Sequence, residues 1–71
     1  MRTGSSNSVT TEDILNALGR YTRESDESDR QTAAKLGINR LTLEAWLRGV
    51  VPSQRYLVAR LAGFLRRTGY L

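Results

Sequence analysis

The sequence predicts an all-α fold, a small four-helix array whose helices cross at steep angles. Three observations lead there. Apolar residues recur at helical spacing in four separate stretches, and no stretch alternates residue by residue as a half-buried strand does. Thr, Ser, Asp or Asn precedes these stretches and glycine tends to follow them, the usual punctuation of helix starts and stops. The 71 residues are the length of one small domain.

Residues 1–9 are rich in Ser, Gly and Asn and nearly devoid of apolar side chains. They read as a disordered segment or a tag remnant, which leaves residues 10–71 as the folded domain. Thr10 or Thr11 is the expected cap of the first helix, with Glu12 and Asp13 placed favourably for the helix dipole. Ile14, Leu15, Leu18 and Tyr21 form its apolar stripe, and Gly19 weakens it near its end. The TRESDESD run over residues 22–29 reads as a solvated acidic loop ending in an N-cap at Ser28 or Asp29. The alternative, a metal site of Glu24, Asp26, Glu27 and Asp29, lacks calcium-loop spacing and a turn glycine.

The second helix is expected from about Arg30 to Leu36 and the third from about Arg40 to Arg48, joined by Gly37-Ile38-Asn39. Gly37 follows the last apolar residue of its helix, where the chain must take a positive φ that glycine adopts without a Cβ penalty. Asn39 suits the N-cap of the third helix, and Gly49 closes it. Ala33, Leu36 and Ile38 face one way, and Leu43, Trp46 and Leu47 form the matching stripe. Ala33 is small where the two helices cross. Val50-Val51-Pro52 is a short extended connection, since residues before proline avoid the α region. Ser53 is the expected N-cap of a final helix from about Gln54 to Arg67. Its buried stripe is Leu57, Leu61 and Phe64 or Leu65, with Tyr56, Val58 and Arg60 off it, and Gly69 is its stop.

Composition narrows the function. A core in so short a chain supplies roughly 3–5 kcal/mol. There is no cysteine and no histidine, which removes disulfides, thiolate metal sites and the commonest general base. No run of about 18 apolar residues suggests a membrane span. Arg2 is not followed by an apolar stretch, so the start does not read as a signal peptide, and the expected compartment is the cytoplasm. Charge is uneven along the chain. Up to Asp29, three arginines face six carboxylates, a net −3; from Arg30 onward, eight basic residues face Glu44 alone, a net +7. Ten of the 11 basic residues are arginine, which suits bidentate contact with phosphate and guanine. A basic half and an acidic half fit a surface that meets a polyanion and a back that meets solvent.

Two short helices with a glycine turn between them have the logic of a helix-turn-helix, whose second helix can enter a DNA major groove. The stretch from Asp29 to Phe64, about half the chain, resembles the lambda-repressor-like (Xre-type) helix-turn-helix domains. The family's small residue is matched by Ala33, its turn glycine by Gly37 and the buried aliphatic after it by Ile38. Trp46-Leu47-Arg48-Gly49 matches a frequent ending of the second helix, and Pro52-Ser53 matches a frequent opening of the next. The chain departs from the pattern at four places. Thr32 replaces an aliphatic residue, Leu47 a common glutamate and Leu41 a short polar residue; Val50-Val51 replaces a polar or basic loop.

The resemblance implies sequence-specific binding of double-stranded DNA, by a bacterial or phage transcriptional regulator, with the chain cytoplasmic and associated with the nucleoid. It places Asn39, Arg40, Leu41, Glu44, Ala45 and Arg48 on the base-reading face. Arg40 suits guanine O6 and N7; Glu44 either accepts from a cytosine amine or pairs with Arg40 and Arg48 one turn away. Leu41 either touches a thymine methyl or is simply exposed. Arg30, Gln31 and Thr42 are the expected phosphate contacts. The first residues could act as a DNA-touching arm, but Arg2 is their only charge. The competing reading is a protein-interaction module that has lost DNA binding, supported by the apolar Leu41, Leu47, Val50 and Val51. A homodimer through the C-terminal helix and tail would use Val58, Leu65, Tyr70 and Leu71. No enzyme, metal or cofactor is expected, since no nucleophile, base or phosphate-cradling loop stands out.

Overall fold

The computed structural model describes residues 9–71. The segment expected to be disordered or tag-derived, residues 1–9, lies outside the described residues apart from the exposed Val9. Four helices follow in order: α1 (Thr11–Glu24), α2 (Asp29–Leu36), α3 (Arg40–Leu47) and α4 (Arg55–Thr68), with no strand among the described residues. Helix α1 packs on α4 and α3, and α2 packs on α3 and α4. No helix among the described residues is long and apolar enough to cross a membrane.

Local chemistry explains the helix starts. Thr10 caps α1 in a reciprocal box: its hydroxyl accepts from the Asp13 amide at 3.0 Å, and the Asp13 carboxylate accepts from the Thr10 amide at 3.2 Å. Ser28 and Gln31 repeat the device at α2, which begins one residue earlier than expected, at Asp29. Asn39 caps α3 by accepting from the Thr42 amide at 2.8 Å. The start of α4 differs from expectation. Its N-cap is Gln54, not Ser53, and no side chain caps it; the chain bends after the buried Pro52, and Gln54 itself is extended.

The ends of α2, α3 and α4 share one solution, a glycine of positive φ, whereas α1 ends at the extended Ser25. Gly37 has φ +73°, the left-handed region, and the amides of Gly37 and Ile38 donate to the carbonyls of Ala34 and Ala33. Gly49, at φ +102°, closes α3 with the same pattern, its amide on Trp46 and that of Val50 on Ala45. At α2 the seal is doubled. Arg60 of α4 donates from Nη1 to the Leu36 carbonyl at 3.2 Å, satisfying a carbonyl that the helix end leaves open.

All four helices supply the core. Ile14, Ala17, Leu18 and Tyr21 meet Ala33, Leu36, Leu43, Trp46, Leu61, Ala62, Phe64 and Leu65. Each large apolar side chain fully buried contributes about 1.5–3 kcal/mol against exposure. Tyr21 stacks edge-to-face on Phe64 and Tyr70, with ring centroids 5.1 and 5.5 Å apart. Leu65 is fully buried, and Val58 and Tyr70 pack against the core. The expected dimer stripe therefore loses Leu65 outright, and only Leu71 of its four members is freely exposed.

The acidic loop is shorter than residues 22–29, since α1 continues through Glu24 and Asp29 opens α2, and it is more than a solvated connection. Glu27 accepts from the Tyr21 hydroxyl at 2.6 Å and from the Thr32 hydroxyl at 3.5 Å, and forms an ion pair with Lys35. The Lys35 hydrogen bond, then that of Tyr21, holds the Glu27 carboxyl below its usual range, and the same contact raises Lys35. Burial first, then the bond to Glu27, pushes the Tyr21 hydroxyl up. Thr32 is buried, so the polar residue in an aliphatic place finds its partner in this carboxylate. Glu24 accepts from the Tyr70 hydroxyl at 2.8 Å, tying the tail to α1. Among the described residues no group of three or more His, Cys, Asp or Glu is placed to hold a metal ion.

Candidate nucleic-acid interface

Helix α3 has two unlike sides. Leu43 and Trp46 are buried and Leu47 is half-buried against the core. At 3.6 residues per turn, Arg40, Glu44, Arg48, Leu41 and Ala45 fall within one arc of about 140° on the other side. Arg40, Leu41 and Arg48 are exposed there, and Glu44 and Ala45 half-exposed. Five of the six expected base-reading residues thus share one face. The sixth, Asn39, sits at its N-terminal edge with its Oδ1 already committed to the cap. One lone pair of that oxygen remains, but the cap fixes the direction of the amide, so a bidentate contact with adenine that needs another direction would cost the cap.

Arg40 and Glu44 face each other, with Arg40 Nε 3.6 Å from Glu44 Oε2 on half-exposed side chains. This is half of the pairing reading of Glu44, since Arg48, its other expected partner, forms no ion pair among the described residues. Such an exposed pair one turn apart contributes only ~0.3–0.5 kcal/mol, so a stronger acceptor can draw Arg40 away. Arg30, at the start of α2, is exposed and shares a cleft with Arg40 and Glu44 that Ser28 and Asp29 complete. A second cleft, between α2 and α3, brings Arg30 and Arg40 beside Asn39 and Leu41. Arg30 therefore stands at the margin of the α3 face, as a phosphate contact requires.

The other expected phosphate contacts are placed less simply. The Gln31 oxygen accepts from the Ser28 amide at 2.9 Å, so the amide nitrogen, the donor a phosphate would use, is held in the orientation the cap sets. Thr42 lies off the arc, half-buried beside Trp46, and its backbone amide serves the cap. Leu47, counted with the apolar surface in the protein-interaction reading, belongs instead to the core margin. Leu41, Val50 and Val51 do remain exposed, at 69, 54 and 58%.

The charge on the basic half is mostly available. Among the described residues the ion pairs are Lys35 with Glu27 and Arg40 with Glu44. Arg60 is spent on Leu36 and on the Tyr56 ring, 5.8 Å away. That role escaped the sequence reading, which could place Arg60 off the buried stripe but not over the turn. Arg30, Arg48, Arg55, Arg66 and Arg67 are exposed. No family model, curated protein or solved structure matches the chain.

Proposed function

We propose that the chain binds double-stranded DNA sequence-specifically, with α2 and α3 as a lambda-repressor-like helix-turn-helix and α3 as the recognition helix, in a bacterial or phage transcriptional regulator. The observation that carries this is the α3 face: Arg40, Leu41, Glu44, Ala45 and Arg48 on one side of a short helix whose other side is core. A helix held from behind and chemically varied in front is what major-groove reading requires. Arg40 is the guanine reader in this proposal, and it leaves Glu44 when DNA binds. Arg30 anchors to phosphate at the margin, and exposed arginines elsewhere add sequence-independent attraction.

The exposed Leu41, Val50 and Val51 favour a second reading, a protein-interaction module on the same scaffold. Salt separates the two. Duplex binding should fall steeply as salt rises, with a slope near −0.9 per phosphate contacted. Titration of a mixed-sequence duplex at two salt concentrations, followed by selection of preferred duplexes from a random pool, tests the proposal. No binding at low salt, or binding indifferent to salt, would remove it.

A further inference from the structure

An apolar groove of about 480 Å³ runs beside α3, toward the connection to α4 and the start of that helix. Leu41, Ala45, Val50, Val51 and Leu57 line it together with the otherwise buried Trp46. Leu41, Val50 and Val51 are three of the six large apolar side chains that the described residues expose. Their gathering at one groove leaves a patch that a partner's apolar surface would cover favourably.

We propose that this groove receives thymine methyl groups from a duplex major groove, so that the preferred site carries thymine where the groove meets it. The inference rests on the DNA-binding reading above and names what part of that face reads. Leu41 belongs both to the groove and to the arc that carries Arg40 and Arg48. Polar groups of Asn39, Thr42 and Ser53 line the groove too, and no carboxylate does. The occupant must therefore be apolar at its centre, supply hydrogen-bond acceptors close by and carry negative charge outside. A thymine edge has this order: a methyl group, the O4 acceptor next to it and the phosphates beyond. A wholly apolar protein segment would strand the amide and hydroxyl donors of Asn39 and Thr42. A second copy of this face would set Arg40 and Arg48 against their own kind. At 1.5 Å per residue, the eight residues of α3 extend about 12 Å, enough to span three base-pair steps of about 3.4 Å. Thymines at more than one position are within reach.

The test uses the duplex selected by the wild-type chain. Each thymine in turn is replaced by deoxyuridine, which removes the methyl and keeps the pairing. One or two positions should each lose about fourfold in affinity, the equivalent of one buried methyl group, while the rest stay neutral. Leu41→Ala should weaken the thymine duplex by a similar factor and make one of those positions indifferent to uracil; Val50→Ala should do so at another. Circular dichroism checks that these exposed positions leave the fold intact. If the wild type binds thymine and uracil duplexes alike, the groove does not read methyl groups although the DNA reading stands. If Leu41→Ala and Val50→Ala keep full uracil discrimination, some other side chain reads the methyl and the proposal is overturned. Absence of binding to every duplex at low salt overturns both readings together.

Discussion

Replacing Gly37 by alanine should remove much of the stability of the domain, through two separable effects. The first is backbone strain. Gly37 sits at φ +73° and ψ 29°, where a residue with a Cβ is disfavoured by about 1–2 kcal/mol. The second is a collision. A Cβ at Gly37 would lie 2.7 Å from Arg60 Nη1, the atom that donates to the Leu36 carbonyl. The guanidinium can swing aside, but the bond then breaks, at about 0.5–1.5 kcal/mol. Together they give about 1.5–3.5 kcal/mol against a total of roughly 3–5. For a domain of this size the melting temperature should fall by roughly 6–28 °C. Arg60→Ala should show the second effect alone. Gly37→Asn should show mainly the second as well, because asparagine tolerates the left-handed region. The double variant Gly37→Ala with Arg60→Ala should cost less than the sum of its parts by about the hydrogen-bond energy, since the bond can be lost only once. Thermal melts and urea titrations of the four variants measure this. A Gly37→Ala cost under about 0.5 kcal/mol would refute the strain argument, and strict additivity would refute the coupling through Arg60.

Three other outcomes can be checked independently. Trp46 is 4% exposed, so Trp46→Ala should cost about 3–5 kcal/mol and leave the chain largely unfolded by circular dichroism; a folded variant would mean that the core closes without the indole. Glu27 titrates below its usual value when folded, so its contribution is complete above the unfolded pKa and is lost as pH falls through the lower folded one. Stability should decline below about pH 4.5, and Glu27→Gln should flatten that decline; acid melting unchanged by the substitution would refute this role of Glu27. Tyr21 is raised by burial first and then by its bond to Glu27, and Lys35 by its contact with Glu27, so both contributions should be lost on the alkaline side, as pH rises through about 10 and beyond. For DNA, Arg40→Ala should cost about 1–3 kcal/mol on the selected duplex and relax one base pair, whereas Arg30→Ala should weaken all duplexes alike and reduce the salt slope by about one. Identical behaviour of the two variants would contradict the assigned roles.

What could be read from the sequence was whatever depends on near neighbours. Thr10, Ser28 and Asn39 act on amides three residues ahead, and each was legible as a cap. Gly37 was legible because it follows Leu36 at the end of a stripe. The start of α4 was not, because Ser53 has the chemistry of a cap while the extended backbone at Gln54 delays the helix by one residue. Its end was missed by one residue too: the Thr68 hydroxyl donates to the Phe64 and Leu65 carbonyls and keeps the last turn closed. The least legible features join distant parts of the chain. Arg60 on Leu36 and Tyr70 on Glu24 bridge 24 and 46 residues, and no local pattern distinguishes those side chains from solvated ones. For the same reason TRESDESD read as a plain loop, although Glu27 gathers Tyr21, Thr32 and Lys35. On the α3 face, the family resemblance named six residues, and helical geometry puts five of them on one side. Neither could tell that the Asn39 and Gln31 oxygens were already engaged.

The bracketing of α3 by Gly37 and Gly49 makes its outer face an interchangeable part. The glycine turns set where the helix begins and ends, while Leu43 and Trp46 set its rotation. Arg40, Leu41, Glu44 and Arg48 take no part in either, so substitutions there should stay within about 0.5 kcal/mol in stability. A library randomised at those four positions should therefore fold almost throughout. Ala45, half-buried and with its own carbonyl accepting from the Val50 amide, should be kept small. Members selected against different duplexes would differ in what they recognise and hardly at all in how they melt.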